Sequence, residues 1–326
     1  MKQPILVLGA NGFIGREVVQ ALAATDWARP VRGVRTVPIR ANGSFEHRIV
    51  DATQVASLRP ALEGVSGIVN CVAGDASHIV LNATALFDSA RALAPAPRII
   101  HLSTMSVYGS AIGLMDESAP LHGDLGPYSE AKVAAERIAA NYPRSVIFRP
   151  GCVFGPGSEQ WSVRIARLLL AHRLGDLGAA GDGCCNLVHV GDVALAILRA
   201  LENPAVDGRV FNLTTPTPPT WNDFLIKYAI ALHAVPVSRI SGRRLRIEGK
   251  ILGPPLKIAE ILARICRLDA RRIPPPIPPS LIRLMGQDIR LDPRRAESEL
   301  GLRFRDTQAA LEETARWFMN AHPHRG

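Results

Sequence analysis

The amino-acid sequence predicts an α/β fold, with a doubly wound parallel sheet in the first half and a smaller, mostly helical region towards the C-terminus. Residues 4–8, PILVL, form the continuous apolar run that is typical of a strand buried in a parallel sheet. A turn with three glycines and a helical pattern, REVVQALAA, follow this run directly. Further apolar runs alternate with helical patterns up to about residue 155, as a parallel sheet with crossover helices requires.

The composition indicates a globular protein and favours some classes of binding partner over others. Of the 326 residues 47% are hydrophobic, and the net charge is +9. The arginines are dispersed and aromatic residues make up 5% of the chain, so we expect anionic small molecules and no nucleic acid as partners. Five cysteines without a CxxC pair or zinc-site spacing predict reduced thiols, no metal site and a cytoplasmic location. We expect neither a signal peptide nor a transmembrane helix, because the N-terminal apolar run enters a glycine turn and no apolar run reaches about 18 residues.

The glycine turn GANGFIG is the first candidate site. Its three glycines permit a tight turn, let backbone N–H groups approach a pyrophosphate and bring helix close to strand, as in Rossmann-type folds. The spacing is GxxGxxG, and a purely structural turn is the alternative, but the position in the first βα connection favours a dinucleotide. The residues expected to hold the cofactor here are Gly9, Asn11, Gly12, Phe13, Ile14 and Gly15.

The second strand, near residues 31–35, bears on the choice of cofactor. It ends without the acidic residue that would accept the ribose hydroxyls of NAD. It carries Arg32 and Arg35, with Arg40 nearby, and guanidinium groups suit the 2′-phosphate of NADP. The sequence therefore favours NADP over NAD, with solvated arginines as the ordinary alternative.

The next two strands supply further candidate contacts to the cofactor. Asp51, followed by Ala52, ends the third strand and could bind the adenine amine, although a helix cap or a turn residue is an equally ordinary interpretation. The fourth strand runs into GIVNCVAG, which we expect to lie along the cofactor through Cys71, Val72 and Ala73.

A tyrosine and a lysine four residues apart form the candidate catalytic pair. Tyr128 and Lys132 in YSEAK share one face of a predicted helix. An ammonium beside a phenol favours the phenolate and makes the tyrosine usable as an acid/base, whereas an accidental pair on a solvated helix is the alternative. Ser103 and Thr104 end the fifth strand, where such sheets place their ligands, and either hydroxyl could bind a substrate oxygen or make ordinary turn contacts.

Seven segments occur in a characteristic order: GANGFIG, LSTMSVYG, YSEAK, RPGCVFGPG, LVHVGDVA, FNLT and LDPRRAESELG. Together they resemble the extended short-chain dehydrogenase/reductases, which include NAD(P)-dependent sugar-nucleotide epimerases and dehydratases, dihydroflavonol-type reductases and 3β-hydroxysteroid dehydrogenases. The resemblance implies that Tyr128 is the acid/base and that Lys132 holds the nicotinamide ribose and lowers the tyrosine pKa. It also implies that Thr104, or its neighbour Ser103, binds the substrate oxygen.

Two departures from the family pattern narrow the function. Met105 and Ser106 stand where the 4,6-dehydratases carry an Asp-Glu pair, and Cys152 stands where the epimerases carry an asparagine that contacts the diphosphate. We therefore expect an NAD(P)-dependent oxidoreductase that moves hydride between a nicotinamide and a carbonyl or secondary alcohol of a small substrate. A sugar-nucleotide epimerase with retained NAD and a non-catalytic dinucleotide-sensing protein remain as alternatives.

The predicted domain organisation places the dinucleotide-binding domain at residues 1–155, with returning segments near 184–215, and the substrate-binding region at 156–183 and 216–326. Asp192 is expected to cap a helix, and His189 to be buried and hydrogen-bonded. The segment 249–279 has an apolar helical stripe from Leu256 to Leu268, which predicts a helix packed over the substrate cleft. A basic amphipathic helix in peripheral contact with a membrane is the alternative. We also expect a homodimer.

Overall fold

The structure is a computed structural model that describes residues 2–36, 45–266 and 273–322. Arg40 and Leu268 lie outside the described residues. The chain forms two compact units. The first comprises Met1–Gly151, Val190–Pro216 and Leu291–Phe304, and the second comprises Cys152–His189, Thr217–Arg290 and Arg305–Gly326.

The first unit is built on a parallel sheet in which seven of the described strands are hydrogen-bonded. These strands are β1 (Gln3–Leu8), β2 (Ala28–Val34), β3 (Glu46–Ile49), β4 (Gly67–Asn70), β5 (Arg98–Leu102), β7 (Ser145–Pro150) and β10 (Val210–Leu213). Their order is β10-β7-β5-β4-β1-β2-β3, so the chain winds in one direction from β1 to β3 and in the other from β4 onwards. This arrangement confirms the predicted doubly wound sheet, and it puts the topological switch point between β1 and β4.

Helices cover this sheet because the strands are apolar on both faces. Every residue of β4 and β5 is buried, and Leu6, Ile68 and Ile99 belong to one core with the helices that follow them. The helices of this unit are α1 (Phe13–Ala23), α2 (Val55–Leu62), α3 (Ala76–Arg91), α4 (Pro127–Ala140), α6 (Val190–Glu202) and α11 (Arg294–Leu300). A short strand, β6, spans Gly113–Met115.

The second unit is mostly helical. Its helices are α5 (Arg164–Leu170), α7 (Trp221–Ala231), α8 (Gly242–Ile247), α9 (Gly253–Ile265), α10 (Pro279–Met285) and α12 (Thr307–Ala321). Two of its short strands, β8 (Cys152–Phe154) and β9 (Leu187–His189), pair in parallel. A further short strand, β11 (Ile289–Leu291), begins in this unit and ends at the first residue of the next segment of the first unit. Large aromatic side chains of α7, among them Trp221, Phe224 and Tyr228, fill the core of this unit.

Two expectations about individual residues need correction. Asp192 is not a helix cap, because α6 begins at Val190, directly after β9, and this places Asp192 inside the first helical turn. A carboxylate in the first turn is still stabilised by the positive end of the helix dipole. The predicted helix near residue 256 exists as α9, but its apolar stripe is not buried: Ile258 is 58% exposed and Ile265 71% exposed.

His189 is buried as expected, with its ring against Phe154.

None of the helices in the described part of the chain is long and apolar enough to cross a membrane.

Candidate active site

The glycine turn after β1 leaves no room for side chains. Gly9 has a φ of 76°, and a Cβ on it would lie 2.7 Å from the carbonyl oxygen of Cys71 at the end of β4. A Cβ on Gly15 would collide with the Gly9 carbonyl. α1 begins at Phe13, and among the described residues no side chain caps its first N–H groups. The turn therefore presents bare backbone N–H groups at the switch point, which fits the diphosphate of a dinucleotide.

Arg32 reaches this turn from β2. Its Nη2 donates a 2.6 Å hydrogen bond to Oδ1 of Asn11, and its β2 position pairs with Val7 of β1. Arg35 lies just beyond the end of β2 and is exposed. Arg32 therefore lies beside the glycine turn, and Arg35 follows the end of the same strand.

Asp51 forms a turn after β3. Its Oδ1 accepts hydrogen bonds from the backbone N–H and the hydroxyl of Thr53, at 3.0 and 2.7 Å. These bonds, with the charge of Arg35, lower the pKa of Asp51. The N-cap of α2 is Gln54, so the turn interpretation describes the local structure and the cap interpretation does not. A role for Asp51 in binding adenine stays a prediction.

A buried pair of asparagines links the loops after β3 and β4, and the sequence analysis did not find it. Asn70 Nδ2 donates to Asn82 Oδ1 at 2.8 Å, and Asn82 Nδ2 donates to the Ala52 carbonyl at 2.9 Å. Both side chains are 2% exposed. The pair fixes Ala52 relative to the end of β4, where Val72 N–H lies 3.4 Å from Asn70 Oδ1. The signal in the sequence is a lone amide, Asn82, within the mostly apolar buried face of α3.

The residues that follow β4 lie beside the glycine turn. Cys71 N–H donates to the Leu8 carbonyl at 3.0 Å, and Ala73 is exposed. Burial raises the pKa of the Cys71 thiol to about 12, so the thiol is neutral at physiological pH. Cys71 therefore contributes shape rather than charge to this part of the site.

Tyr128, Lys132 and Thr104 come together at the carboxyl end of β5. Tyr128 and Lys132 lie one turn apart on α4, and the Thr104 side chain lies close enough to the Tyr128 phenol to act on its pKa. Lys132 is 5% exposed, and its Nζ donates to the Leu102 carbonyl at 2.8 Å, whereas Tyr128 is 47% exposed. Ser103 is buried, and its hydroxyl has no hydrogen-bond partner among the described residues.

The electrostatics of this group differ from the expectation. Burial lowers the pKa of Lys132 to about 8, opposed by the carboxylate of Glu136. Burial also raises the pKa of Tyr128, opposed by the hydrogen bond with Thr104, and Lys132 is not among the described groups that lower it. The expected lowering of the tyrosine pKa by Lys132 is therefore wrong for this structure. The physical reason is that partial desolvation of the phenol outweighs the attraction of an ammonium that is directed to the Leu102 carbonyl.

A buried ion pair holds α4 against the sheet behind the catalytic pair. Arg149 of β7 donates from Nη2 to Glu136 of α4 at 2.7 Å and from Nη1 to the Tyr108 hydroxyl at 2.9 Å. The arginine and glutamate side chains are 5% and 3% exposed. Glu136 is one turn beyond Lys132, so this pair sets the position of the helix that carries the lysine. Arg149 is the first residue of the RPGCVFGPG motif, and no local pattern in the sequence indicates its partner.

The arrangement can bind a dinucleotide and handle a proton. Gly9 and Gly15 have no Cβ, and the concave backbone surface that this leaves fits the diphosphate of a dinucleotide. The exposed phenol of Tyr128, bonded to Thr104, lies at the same sheet edge with a buried cation one helical turn away. A substrate oxygen placed near Tyr128 could receive its proton.

Comparisons with known proteins agree with this geometry. A model of the NAD dependent epimerase/dehydratase family matches residues 5–214. No curated protein matches the sequence significantly.

Among solved structures, the UDP-glucuronic acid 4-epimerase from Bacillus cereus, in complex with UDP-glucuronic acid and NAD, has a TM-score of 0.73 at 18% identity, covering 98% of this chain and 100% of that one. Human epimerase family protein SDR39U1 with NADPH has a TM-score of 0.71 at 19% identity, and the match covers 96% of this chain and 99% of that one. The dTDP-glucose 4,6-dehydratase from Bacillus anthracis with NAD has a TM-score of 0.72 at 18% identity, covering 98% and 97%.

At these identities the solved structures show that the fold is shared. The substrates named for those proteins are not thereby substrates of this chain. The family model carries more weight because it spans well over half of the chain and includes the glycine turn, the Tyr128–Lys132 pair and the strands between them. It confirms the resemblance inferred from the order of the sequence motifs. The chain belongs to the NAD-dependent epimerase/dehydratase family.

Proposed function

We propose that this protein is an NAD(P)-dependent oxidoreductase acting on a carbonyl or secondary alcohol of a small substrate. The observation that carries the proposal is that the half-exposed phenol of Tyr128 lies beside the Thr104 side chain at the carboxyl end of β5, with Lys132 buried one turn away. A proton donor held this way at the carboxyl edge of a parallel sheet suits a reaction at a substrate oxygen.

The dinucleotide is proposed to bind across the glycine turn, with its adenosine end near Arg32, Arg35 and Asp51. The bound nicotinamide supplies a carbon that accepts or donates hydride. We favour NADP because Arg32 lies on β2 and Arg35 follows its end, and because β2 ends without a carboxylate. The relatives are seen with NADPH in one case and with NAD in others.

Tyr128 is proposed to move the proton that accompanies the redox step. Its raised pKa keeps the phenol protonated at neutral pH, which suits protonation of the oxygen that forms when a carbonyl is reduced. Thr104 would donate a hydrogen bond to the same oxygen. The ammonium of Lys132 would hold the neighbouring ribose. In the oxidation direction the same groups act in reverse order.

Two alternatives are separated by specific residues. The sugar-nucleotide epimerase with retained NAD is favoured by the relatives named above, whereas Cys152 stands where that class carries its diphosphate-binding asparagine, and its side chain is buried. An elimination mechanism is disfavoured because Met105 and Ser106 replace the acid and base it requires. A non-catalytic dinucleotide sensor would need no hydrogen-bonded Tyr128.

The proposal is tested by replacing Tyr128 with phenylalanine. We expect oxidation of NADPH with a panel of carbonyl compounds to fall by about 10²- to 10⁴-fold, the usual scale for loss of a general acid/base. The dissociation constant for NADPH should change by no more than a few fold. Tyr142→Phe is the matched control, since that hydroxyl donates to the Pro97 carbonyl at the opposite sheet edge. Near-normal turnover by Tyr128→Phe would remove Tyr128 from the mechanism.

A homodimer and a cytoplasmic location stay predictions of the sequence analysis. Light scattering on the purified protein checks the first, and fractionation of the source cells checks the second.

A further inference from the structure

One continuous helical segment exposes an unusual number of large aliphatic side chains. It runs from α8 through a π-helical turn at Glu248–Leu252 into α9. Seven of the fifteen large hydrophobic side chains that are exposed in the described residues belong to it. They are Ile247, Ile251, Leu252, Ile258, Ile261, Leu262 and Ile265.

The inward face of this segment is made largely of small residues. A Cβ on Gly249 would lie 2.5 Å from Cδ1 of Ile282, and a Cβ on Gly253 would lie 3.2 Å from the Ile277 carbonyl. Ala263 is 6% exposed. A helix that served only the core of this protein would bury its isoleucines and expose its small or polar residues. Leu245 is buried in the core of the second unit, but from Ile247 onwards the orientation is the reverse, so burial within the chain does not account for the aliphatic face.

An ion pair between Glu248 and Arg173 holds the segment in this orientation. Glu248 is 5% exposed and pairs with the guanidinium of Arg173, which also donates to the Pro275 carbonyl at 3.0 Å. Arg167 donates to the Ile273 carbonyl at 2.7 Å. All of these residues belong to the second unit. The aliphatic face is thus a feature of the folded unit.

The charge around this face is basic. Residues 241–266 contain six basic and two acidic side chains, and one of the acidic ones, Glu248, is directed inward to Arg173. The exposed basic residues are Arg243, Arg244, Arg246, Lys250 and Lys257. Two copies of this face meeting through a twofold axis would bring like charges together, which opposes self-association. An apolar face bordered by arginine and lysine is complementary to the headgroups and upper acyl chains of an anionic bilayer.

We propose that the segment Gly242–Ile265, termed here the aliphatic platform, docks this protein on the surface of a membrane that contains anionic phospholipid. The isoleucines and leucines enter the acyl boundary, and the arginines and lysines contact the phosphate groups. The proposal is independent of the redox chemistry, because none of the platform residues belongs to the candidate active site.

The test is flotation of the full chain with vesicles of phosphatidylcholine alone or with about 30% phosphatidylglycerol. We expect binding to the anionic vesicles, little binding to the neutral ones, and a loss of about tenfold or more when salt is raised from 0.1 to 0.5 M. Ile258→Gln/Leu262→Gln should weaken partition about tenfold or more. The double variant Arg243→Glu/Lys250→Glu should weaken partition onto the anionic vesicles only.

Exposed aliphatic residues elsewhere provide the matched control. Ile230→Gln/Val235→Gln removes two side chains that are 55% and 58% exposed outside the platform, and it should leave partition unchanged. Circular dichroism checks that each variant is folded. Absence of flotation by wild type, or equal flotation by wild type and Ile258→Gln/Leu262→Gln, overturns the proposal. A wild-type dimer that becomes monomeric in that variant also overturns it, in favour of a contact between copies.

Discussion

Lys132 should reduce the stability of the folded chain at neutral pH, and Lys132→Met should recover part of the loss. Burial lowers the pKa of this ammonium from 10.5 to about 8. At about 1.4 kcal/mol per pKa unit, keeping it protonated in the folded state costs about 3 kcal/mol. Methionine removes the charge but leaves the Leu102 carbonyl without this hydrogen bond, at a cost of about 1–2 kcal/mol. We expect the variant to be about 1–2 kcal/mol more stable at pH 7.

The pH dependence makes this prediction specific. The folded-state pKa of Lys132 lies below the unfolded-state value, so between pH 8 and 10.5 the unfolded wild type binds more protons than the folded one. The free energy of unfolding of wild type therefore rises across this window relative to the variant, and the cost is fully present below pH 8. The advantage of Lys132→Met should shrink by about 3 kcal/mol above pH 10.5, which reverses its sign.

Urea unfolding followed by tryptophan fluorescence, at several pH values from 7 to 11, measures this difference. Lys227→Met is the matched control, because it makes the same replacement at a lysine that is exposed on α7. If Lys132→Met is less stable than wild type at pH 7 and the gap is constant with pH, the ammonium is not desolvated. The account of the site electrostatics would then be refuted.

The other variants concern cofactor choice and the substrate oxygen. Arg35→Ala should raise the dissociation constant of NADPH about 10- to 150-fold, since a charge-assisted contact of about 1.5–3 kcal/mol is lost, and leave that of NADH unchanged in calorimetric titration. Equal weakening of both cofactors would make Arg35 a structural residue. Thr104→Ala should lower kcat about tenfold, more than Ser103→Ala, because the Thr104 side chain lies beside the Tyr128 phenol and the Ser103 hydroxyl has no partner among the described residues. A larger loss with Ser103→Ala in steady-state kinetics would move the substrate oxygen to Ser103.

The features that the sequence predicted well are local in the chain. The glycine turn joins two elements that are adjacent in sequence, and its geometry follows from three residues that carry no side chain. The Tyr128–Lys132 pair lies within one helix, where a spacing of four sets a shared face. Local periodicity and turn chemistry contain this information.

The features that the sequence analysis missed depend on contacts between distant segments. Asn82 is bonded to Ala52, thirty residues away, and no local pattern specifies that partner. The tyrosine pKa was predicted in the wrong direction because desolvation depends on what packs around the phenol. The aliphatic platform shows the same limit: periodicity identified the apolar face of α9, and the small size of Gly249 and Gly253 decided which face turns inward.

The retention of the nucleotide tests the central claim most directly, because it does not require the substrate to be known. The protein is purified without added cofactor, the nucleotide that it carries is released and quantified, and NADPH and NADH are then titrated by calorimetry. An oxidoreductase that turns its cofactor over should carry less than stoichiometric nucleotide and bind NADPH reversibly, more tightly than NADH. Stoichiometric NAD that stays bound through dialysis and blocks NADPH binding would contradict the account and support the epimerase.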